Sequence, residues 1–286
     1  MAEIFVLENQ QYHLKIHSLG AELIHFSKRE KENLLWEKTT AHWNRVAPLL
    51  FPIVGKLKDN AYSLQEDGFA LGQHGFLRDQ EFTLLEQNKH SLTLTFSSDS
   101  ATKKVYPFDF TFEICYAFDS SGLRIEATIK NRSESKMYFS YGGHPAFHLE
   151  EKLENYFLRL EKDFVAERQL IENGLYSGAT EKMSISGDLQ LNDDLFHADA
   201  LVFKQPPFQT IELLHNTKGS ILKMTCESWT AIGIWTKAGA PFLCLEPWWG
   251  WADSTDSTGD LTQKAGIRVL ESNVEETLVY RIEPAI

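Results

Sequence analysis

The run FDFTFEICYAFDSSGLRIEATIK, residues 108–130, places an apolar side chain at alternate positions on either side of a Ser-Ser-Gly reversal. Phe108, Phe110, Phe112, Ile114 and Tyr116 lead into the turn at Ser120, Ser121 and Gly122, and Leu123, Ile125, Ala127 and Ile129 lead out of it. A period of two sends successive side chains to opposite faces of an extended chain, so each arm has one apolar and one polar face. Two such arms joined by a tight polar turn predict a β-hairpin.

The same grammar runs outward from this hairpin. SLTLTF at 91–96 carries Leu92, Leu94 and Phe96 in alternation, and QTIELLHNTKGSILKMTCES (209–228), TAIGIWTKAGAPFLCLEP (230–247) and AGIRVLESNVEETLVYRIEP (265–284) each reverse at Gly, Asn or Asp. Helical periodicity is weak, and its best instance is KLENYFLRLEK, 152–162. The regular alternation of strand and helix that builds a Rossmann fold or a TIM barrel is absent. No Pro- or Ser-rich linker, low-complexity segment or fixed repeat divides the chain. These features predict an all-β fold, a large antiparallel β-sandwich formed as a single domain over residues 1–286, with a concave sheet face available to a ligand.

Composition narrows the ligand. At 286 residues, 43% apolar and 24% charged, the chain has globular values and enough length for a substantial core. A formal net charge of −12, with no compact run of lysine and arginine, opposes binding to nucleic acid or to an anionic bilayer. A small neutral ligand fits best, and an anionic one requires a few arginines focused in a pocket. The start, MAEIFVLENQ, lacks the basic and apolar regions of a secretory signal, and no stretch approaches the roughly 18 apolar residues of a membrane span. Cys115, Cys226 and Cys244 are odd in number and scattered, which suits a reducing compartment. A cytoplasmic protein is expected.

Phosphate-binding loops, G-x-S-x-G, H-E-x-x-H and C-x-x-C are all missing. SESK at 133–136 matches S-x-x-K formally, but it lies in a polar turn without companion motifs. His144 and His148 stand four apart, a zinc spacing on a helix, yet Pro145 and the flanking glycines oppose a helix there. With no cysteine or carboxylate cluster beside them in the sequence, no metal is expected.

Four segments carry the candidate chemistry. In FSYGGHPAFHLE (139–150), Gly142, Gly143 and Pro145 interrupt an apolar strand at His144, which aims an imidazole at a cleft or merely caps a strand end. In FLCLEPWWGWADS (242–254), Glu246 ends an apolar strand just before Pro247 and three tryptophans. A desolvated carboxyl tends toward a raised pKa, which suits a general base, and indole faces are platforms for sugar rings. The competing reading is a rim glutamate beside core tryptophans. LGQHGFLRDQEF (71–82) holds His74 and Arg78, and HWNRVAPLLFPIVGKL (42–57) holds Arg45.

Together, GGHPAFHL, LCLEPWWG, QHGFLRD and NRVAPLLFPIVGKL resemble, in content and in order, the segments of the aldose 1-epimerase (galactose mutarotase) superfamily, and in particular its LacX-like branch. The resemblance runs from about residue 40 to the C-terminal strands. It implies a β-supersandwich and the cofactor-free exchange of α and β anomers of an aldose such as galactose or glucose, with a place in galactose metabolism. Carried over by position, Glu246 is the general base toward the C1 hydroxyl and His144 the general acid toward the ring oxygen. His74 and Arg45 match positions that hold the ring oxygen and hydroxyls, Asp199 in LFHADALVF an aspartate that receives hydroxyls, and Trp235 a stacking or a core residue. The arginine and His-Gly-Phe segments lean toward the branch that includes hexose 6-phosphate mutarotases, where Arg78 or Lys56 would bind phosphate; Arg78 is equally read as a structural arginine. The implied partner is a small-molecule sugar or sugar phosphate, with no nucleic acid and no membrane, acted on by a monomer or homodimer. The competing classes are a non-catalytic sugar-binding or sensing protein on the same fold and, less favoured, a glycosidase using Glu246 and Asp199, which would leave His144 without a task.

Overall fold

In the computed structural model, which describes residues 3–285, the 108–130 hairpin forms as its pattern requires. Phe110–Phe118 and Leu123–Asn131 pair antiparallel, with Phe112 opposite Ile129, Ile114 opposite Ala127 and Tyr116 opposite Ile125. Both strands alternate strictly between buried and half-buried positions. They lie inside a nine-stranded sheet whose order is Asp188–Gln190, Tyr156–Leu160, Thr210–His215, Gly219–Thr225, Glu275–Pro284, Leu123–Asn131, Phe110–Phe118, Ser91–Ser97 and Thr83–Gln87. A large antiparallel β-sandwich results.

The facing layer is a six-stranded sheet in the order Leu201–Lys204, Ala231–Trp235, Phe242–Trp249, Tyr141–Gly143 and Leu49–Leu50, with Ala146–His148 also paired to Phe242–Trp249. Aromatic rings join the two layers. Phe51 packs 5.0 Å from Phe110 and 5.4 Å from Phe112, and Tyr141 lies 5.6 Å from Phe112 while stacking on Trp249 at 5.5 Å. Such pairs add about 0.5–1.5 kcal/mol each beyond the area they bury.

Phe242–Trp249 is buried at every position, so its alternation is hidden in the sequence. Leu243, Leu245 and Trp249 join the main core between the sheets, whereas Phe242, Cys244 and Trp248 pack in separate clusters on the other side. Glu246 follows the second set by the period of two. The strand does not end at Glu246, as the sequence suggested, but continues through Pro247 to Trp249. The neighbouring chain is broken instead: Gly142 pairs with Trp248 and Ala146 with Cys244, so the break at His144–Pro145 lies opposite Leu245–Pro247.

KLENYFLRLEK does not form a helix. A single 3₁₀ turn, Leu153–Asn155, leads into the strand Tyr156–Leu160, which buries Tyr156, Leu158 and Leu160 and pairs on both edges. Alternating burial between two partner strands outweighs the weak helical spacing. Among the described residues no helix is long and apolar enough to cross a membrane, and the three cysteines are unpaired.

Beyond Trp249 the chain leaves the sheet and is pinned by Asp253. Its Oδ1 lies 2.9 Å from Lys264 Nζ, which also donates to the Trp251 carbonyl, and its Oδ2 accepts from the Lys58 amide. The Asp253 amide donates to the Lys56 carbonyl, and its own carbonyl accepts from the Tyr176 amide. Both charged side chains are buried. Through its side chain and its backbone, this one residue ties together the 55–58 segment, the 250–257 loop and the hairpin of Phe164–Glu172 and Leu175–Ile185, three segments that border the site below. Removing one member of a buried ion pair strands the other. Asp253→Ala is therefore expected to lower unfolding free energy by about 3–5 kcal/mol in urea titrations, and an unchanged midpoint would contradict this role.

Candidate functional site

On the far face of the Phe242–Trp249 strand a cavity of about 290 Å³ opens, lined among others by Trp43, Gln73, His74, Arg78, His144, Tyr176, Asp199, Trp235, Glu246 and Trp248. That volume lies at the lower end of the ~300–1,000 Å³ typical of small-molecule sites. Its floor exists because two positions lack side chains. A Cβ on Gly142 would come within 2.7 Å of the Trp248 ring, and one on Gly233 within 2.6 Å. The indole of Trp248 lies across both strands in the space these glycines leave. Gly142 thus makes room for a tryptophan.

His144 and Glu246 meet at the bottom. His144 Nε2 is 3.1 Å from Glu246 Oε2, with the imidazole side chain 10% and the carboxyl side chain 2% exposed. The two groups are close but not aligned as a hydrogen bond, and Glu246 Oε2 and His144 Nδ1 each make none within the protein. Trp43 covers the imidazole at 4.7 Å between ring centres, Trp235 meets it edge-on at 5.9 Å, and His74 edge-on at 5.8 Å. Burial in this aromatic surround pushes the carboxyl of Glu246 well above its ordinary value, against the opposing effect of the neighbouring Trp248 indole N–H and with nearby Asp199 adding to the rise. The same burial lowers His144 to about 3. Burial thus works against the charged form of both groups, because each would lose its hydration.

The walls follow the same pattern of unspent polar atoms. Arg78 Nε, Tyr176 OH and Trp248 Nε1 are buried and make no hydrogen bond within the protein. With Glu246 Oε2 they belong to residues that line one small space. Hydroxyl groups, each able both to donate and to accept, match such a set.

His74 is positioned by backbone: at φ +65° its amide donates to the Gly55 carbonyl at 2.8 Å and its Nδ1 accepts from the Gly55 amide at 3.1 Å. An accepting Nδ1 leaves Nε2 to carry the proton. Burial and the neighbouring His144 and Arg78 hold His74 well below its usual value. Asp199, also at positive φ, stands exposed at the rim with Oδ1 accepting from the Ala200 amide at 2.9 Å.

Two expected residues are not at the cavity wall. Arg45 is engaged elsewhere, with Nη2 2.7 Å from Asp79 Oδ1 and Nη1 donating to the Arg78 carbonyl. Lys56 donates to the Asn173 carbonyl at 3.1 Å. His148 is exposed and takes no part. Conversely, the sequence did not point to Trp43, Gln73 or Tyr176. Trp43 and Gln73 lie within two residues of the arginine and histidine singled out, whereas Tyr176 arrives from a hairpin with no motif of its own. His144, Cys244 and Glu246 offer donor atoms that all lie within 4.8 Å of one another, a cluster assembled across strands and invisible in the spacing of His144 and His148.

A family profile described as aldose 1-epimerase matches residues 3–274. Among curated proteins, the plasmid-encoded protein LacX of Lactococcus lactis subsp. lactis is 28% identical over 273 residues, covering 90% of this chain and 91% of LacX. Among solved structures, a galactose mutarotase related enzyme from Lactobacillus acidophilus superposes with a TM-score of 0.94 at 28% identity, covering 99% of this chain and 98% of that one. A galactose mutarotase-like protein from Lactobacillus casei gives 0.92 at 25% identity, with coverage of 98% and 99%.

The raised Glu246 carboxyl has a consequence for stability. The folded chain keeps a proton there that the unfolded chain releases above its ordinary value of 4.5, so stability falls as pH rises beyond that point, by at most about 1.4 kcal/mol per pH unit. The lowered His144 acts in the opposite sense at lower pH, removing stability as pH drops below 6.5 toward about 3. Glu246→Gln, which copies the neutral carboxyl, is expected to gain on the unmutated chain in urea titrations as pH rises from about 5 to about 8. A constant difference over that range would mean that the pair takes up no proton on folding.

Proposed function

We propose, on the premise that the chain belongs to the aldose 1-epimerase family, that it interconverts the α and β anomers of an unphosphorylated aldohexose such as galactose or glucose. One observation carries this reading: a buried histidine and a buried glutamate, 3.1 Å apart, form the floor of a monosaccharide-sized cavity rich in unpaired hydrogen-bonding atoms.

Anomer exchange needs a proton removed from the C1 hydroxyl and one delivered to the ring oxygen in the same event, then the reverse. The pair can do both without drawing on water. Carboxyl plus imidazole and carboxylate plus imidazolium hold the same number of protons, and one short transfer between Glu246 and His144 converts the first into the second. Sugar hydroxyls donating to Glu246 favour the ionised form. Glu246 then takes the O1 proton while His144 protonates the ring oxygen, and the C1–ring oxygen bond breaks. The open-chain aldehyde faces a neutral pair. After rotation about the C1–C2 bond, Glu246 returns its proton to the carbonyl oxygen as His144 takes the proton back from the attacking hydroxyl, which gives the other anomer.

The surrounding residues have tasks that this chemistry requires. His74 Nε2–H and Arg78 Nε donate to sugar oxygens, Asp199 accepts from a hydroxyl at the rim, and Trp43, Trp235 and Trp248 offer faces to the apolar side of the ring. Arg78 is the one lysine or arginine among the cavity-lining residues. With Arg45 and Lys56 occupied elsewhere and two carboxyl groups nearby, the site favours a neutral hexose over a hexose 6-phosphate.

Magnetisation-transfer NMR with galactose, glucose and galactose 6-phosphate tests the proposal. Exchange of a neutral hexose is expected to accelerate, and Glu246→Gln and His144→Asn are each expected to lower it by about 10²–10⁴-fold while remaining folded. Sugar binding without acceleration by the unmutated chain would mark a sugar-binding protein instead. Acceleration confined to the phosphorylated sugar would overturn the substrate assignment.

A further inference from the structure

We propose that His144, Cys244 and Glu246 form a site for a thiophilic divalent cation, with Zn²⁺ the ion of best fit, whose occupation locks the floor of the cavity. Cys244 and Glu246 are two residues apart on one face of the Phe242–Trp249 strand, and His144 reaches the same point from the break in the neighbouring strand. Their donor atoms lie within 4.8 Å of one another. Ligands of a tetrahedral zinc ion are about 3.3–3.8 Å apart, given bond lengths of about 2.0–2.3 Å, so modest side-chain rotations close the site.

The donor set and the surroundings both favour such an ion. One imidazole, one carboxylate and one thiolate select Zn²⁺ or Cd²⁺ over the hard cations Mg²⁺ and Ca²⁺. Three protein ligands leave a fourth position, which the cavity supplies. Glu246 Oε2, on a side chain only 2% exposed and 3.1 Å from His144 Nε2, makes no hydrogen bond within the protein. Binding displaces one proton from the thiol and one from the carboxyl, so a doubly charged ion and two released protons leave a neutral complex, the state a buried site tolerates best. That the ion stops anomer exchange rests on the catalytic reading above; that it binds does not.

Cadmium titration of the metal-free protein provides the test, followed through the thiolate-to-cadmium charge-transfer absorption, with calorimetry for zinc. The expected result is one cadmium per chain with the absorption band. Cys244→Ala is expected to lose the band and at least tenfold in zinc affinity, yet to exchange sugar like the unmutated chain, and Cys226→Ala should keep both. Zinc should then halt exchange in the unmutated chain and spare Cys244→Ala. No band, or a band that survives Cys244→Ala, would overturn the site. So would zinc binding lost only in His25→Gln, since the rings of His13 and His25, on the paired strands Tyr12–His17 and Glu22–Lys28, stand 4.8 Å apart between centres and could compete for the ion. If no form exchanges sugar at any metal level, the catalytic reading fails while the absorption still decides the site.

Discussion

The site depends on a single strand that is buried on both faces. Phe242–Trp249 sends Leu243, Leu245 and Trp249 into the core between the two large sheets and turns Cys244, Glu246 and Trp248 to its other face, where Glu246 and Trp248 line the cavity and Cys244 is buried beside them. Because the core side is packed against rings such as Tyr141 and Phe112, the strand cannot slip by one residue without exchanging the two sets. The cost of burying a carboxyl is thereby imposed by the fold, since a slip by one residue would carry Glu246 from the cavity floor into the core between the sheets. That cost is offset by the many contacts on the opposite face.

A broken neighbour completes the arrangement. Had the strand beside Phe242–Trp249 been continuous, a residue at position 144 would have been held in the ladder between two pairing strands. The interruption at His144–Pro145 frees the imidazole to meet Glu246, while pairing on both sides of the break, at Gly142 and at Ala146, keeps it from wandering. Trp43, Trp235 and Trp248 then exclude water around the pair, so that the environment favours neutral groups until a polar ligand arrives.

Fold class was legible because alternation reports a sheet with one wet face, as at 110–118 and 123–131. The strand that matters most was harder to read. With both faces buried it shows only an apolar run, and its true end at Trp249 was hidden behind Pro247. The segment 152–162 misled because Leu153, Tyr156, Phe157 and Leu160 fit a helical spacing as well as a strand preceded by a turn, and only the partner strands decide. Within the site, His144 and Glu246 were marked by unusual neighbours in the sequence, glycine, proline and tryptophan. His74 and Arg45 gained a role only through the family resemblance, and Asp79 claims the Arg45 guanidinium. Tyr176 and Cys244 carried no local signal, because their roles arise from which strands lie side by side, and pairing order is not written in any single segment.

At the centre of this account is a histidine–glutamate pair held neutral by burial, ready to ionise by an internal proton transfer. Infrared difference spectroscopy between the unmutated chain and Glu246→Gln, at neutral pH and without sugar, observes that state directly. The account predicts the carbonyl stretch of a protonated carboxyl in the unmutated chain, weakened when galactose or glucose is added. A carboxylate stretch from Glu246 in the free protein would contradict it.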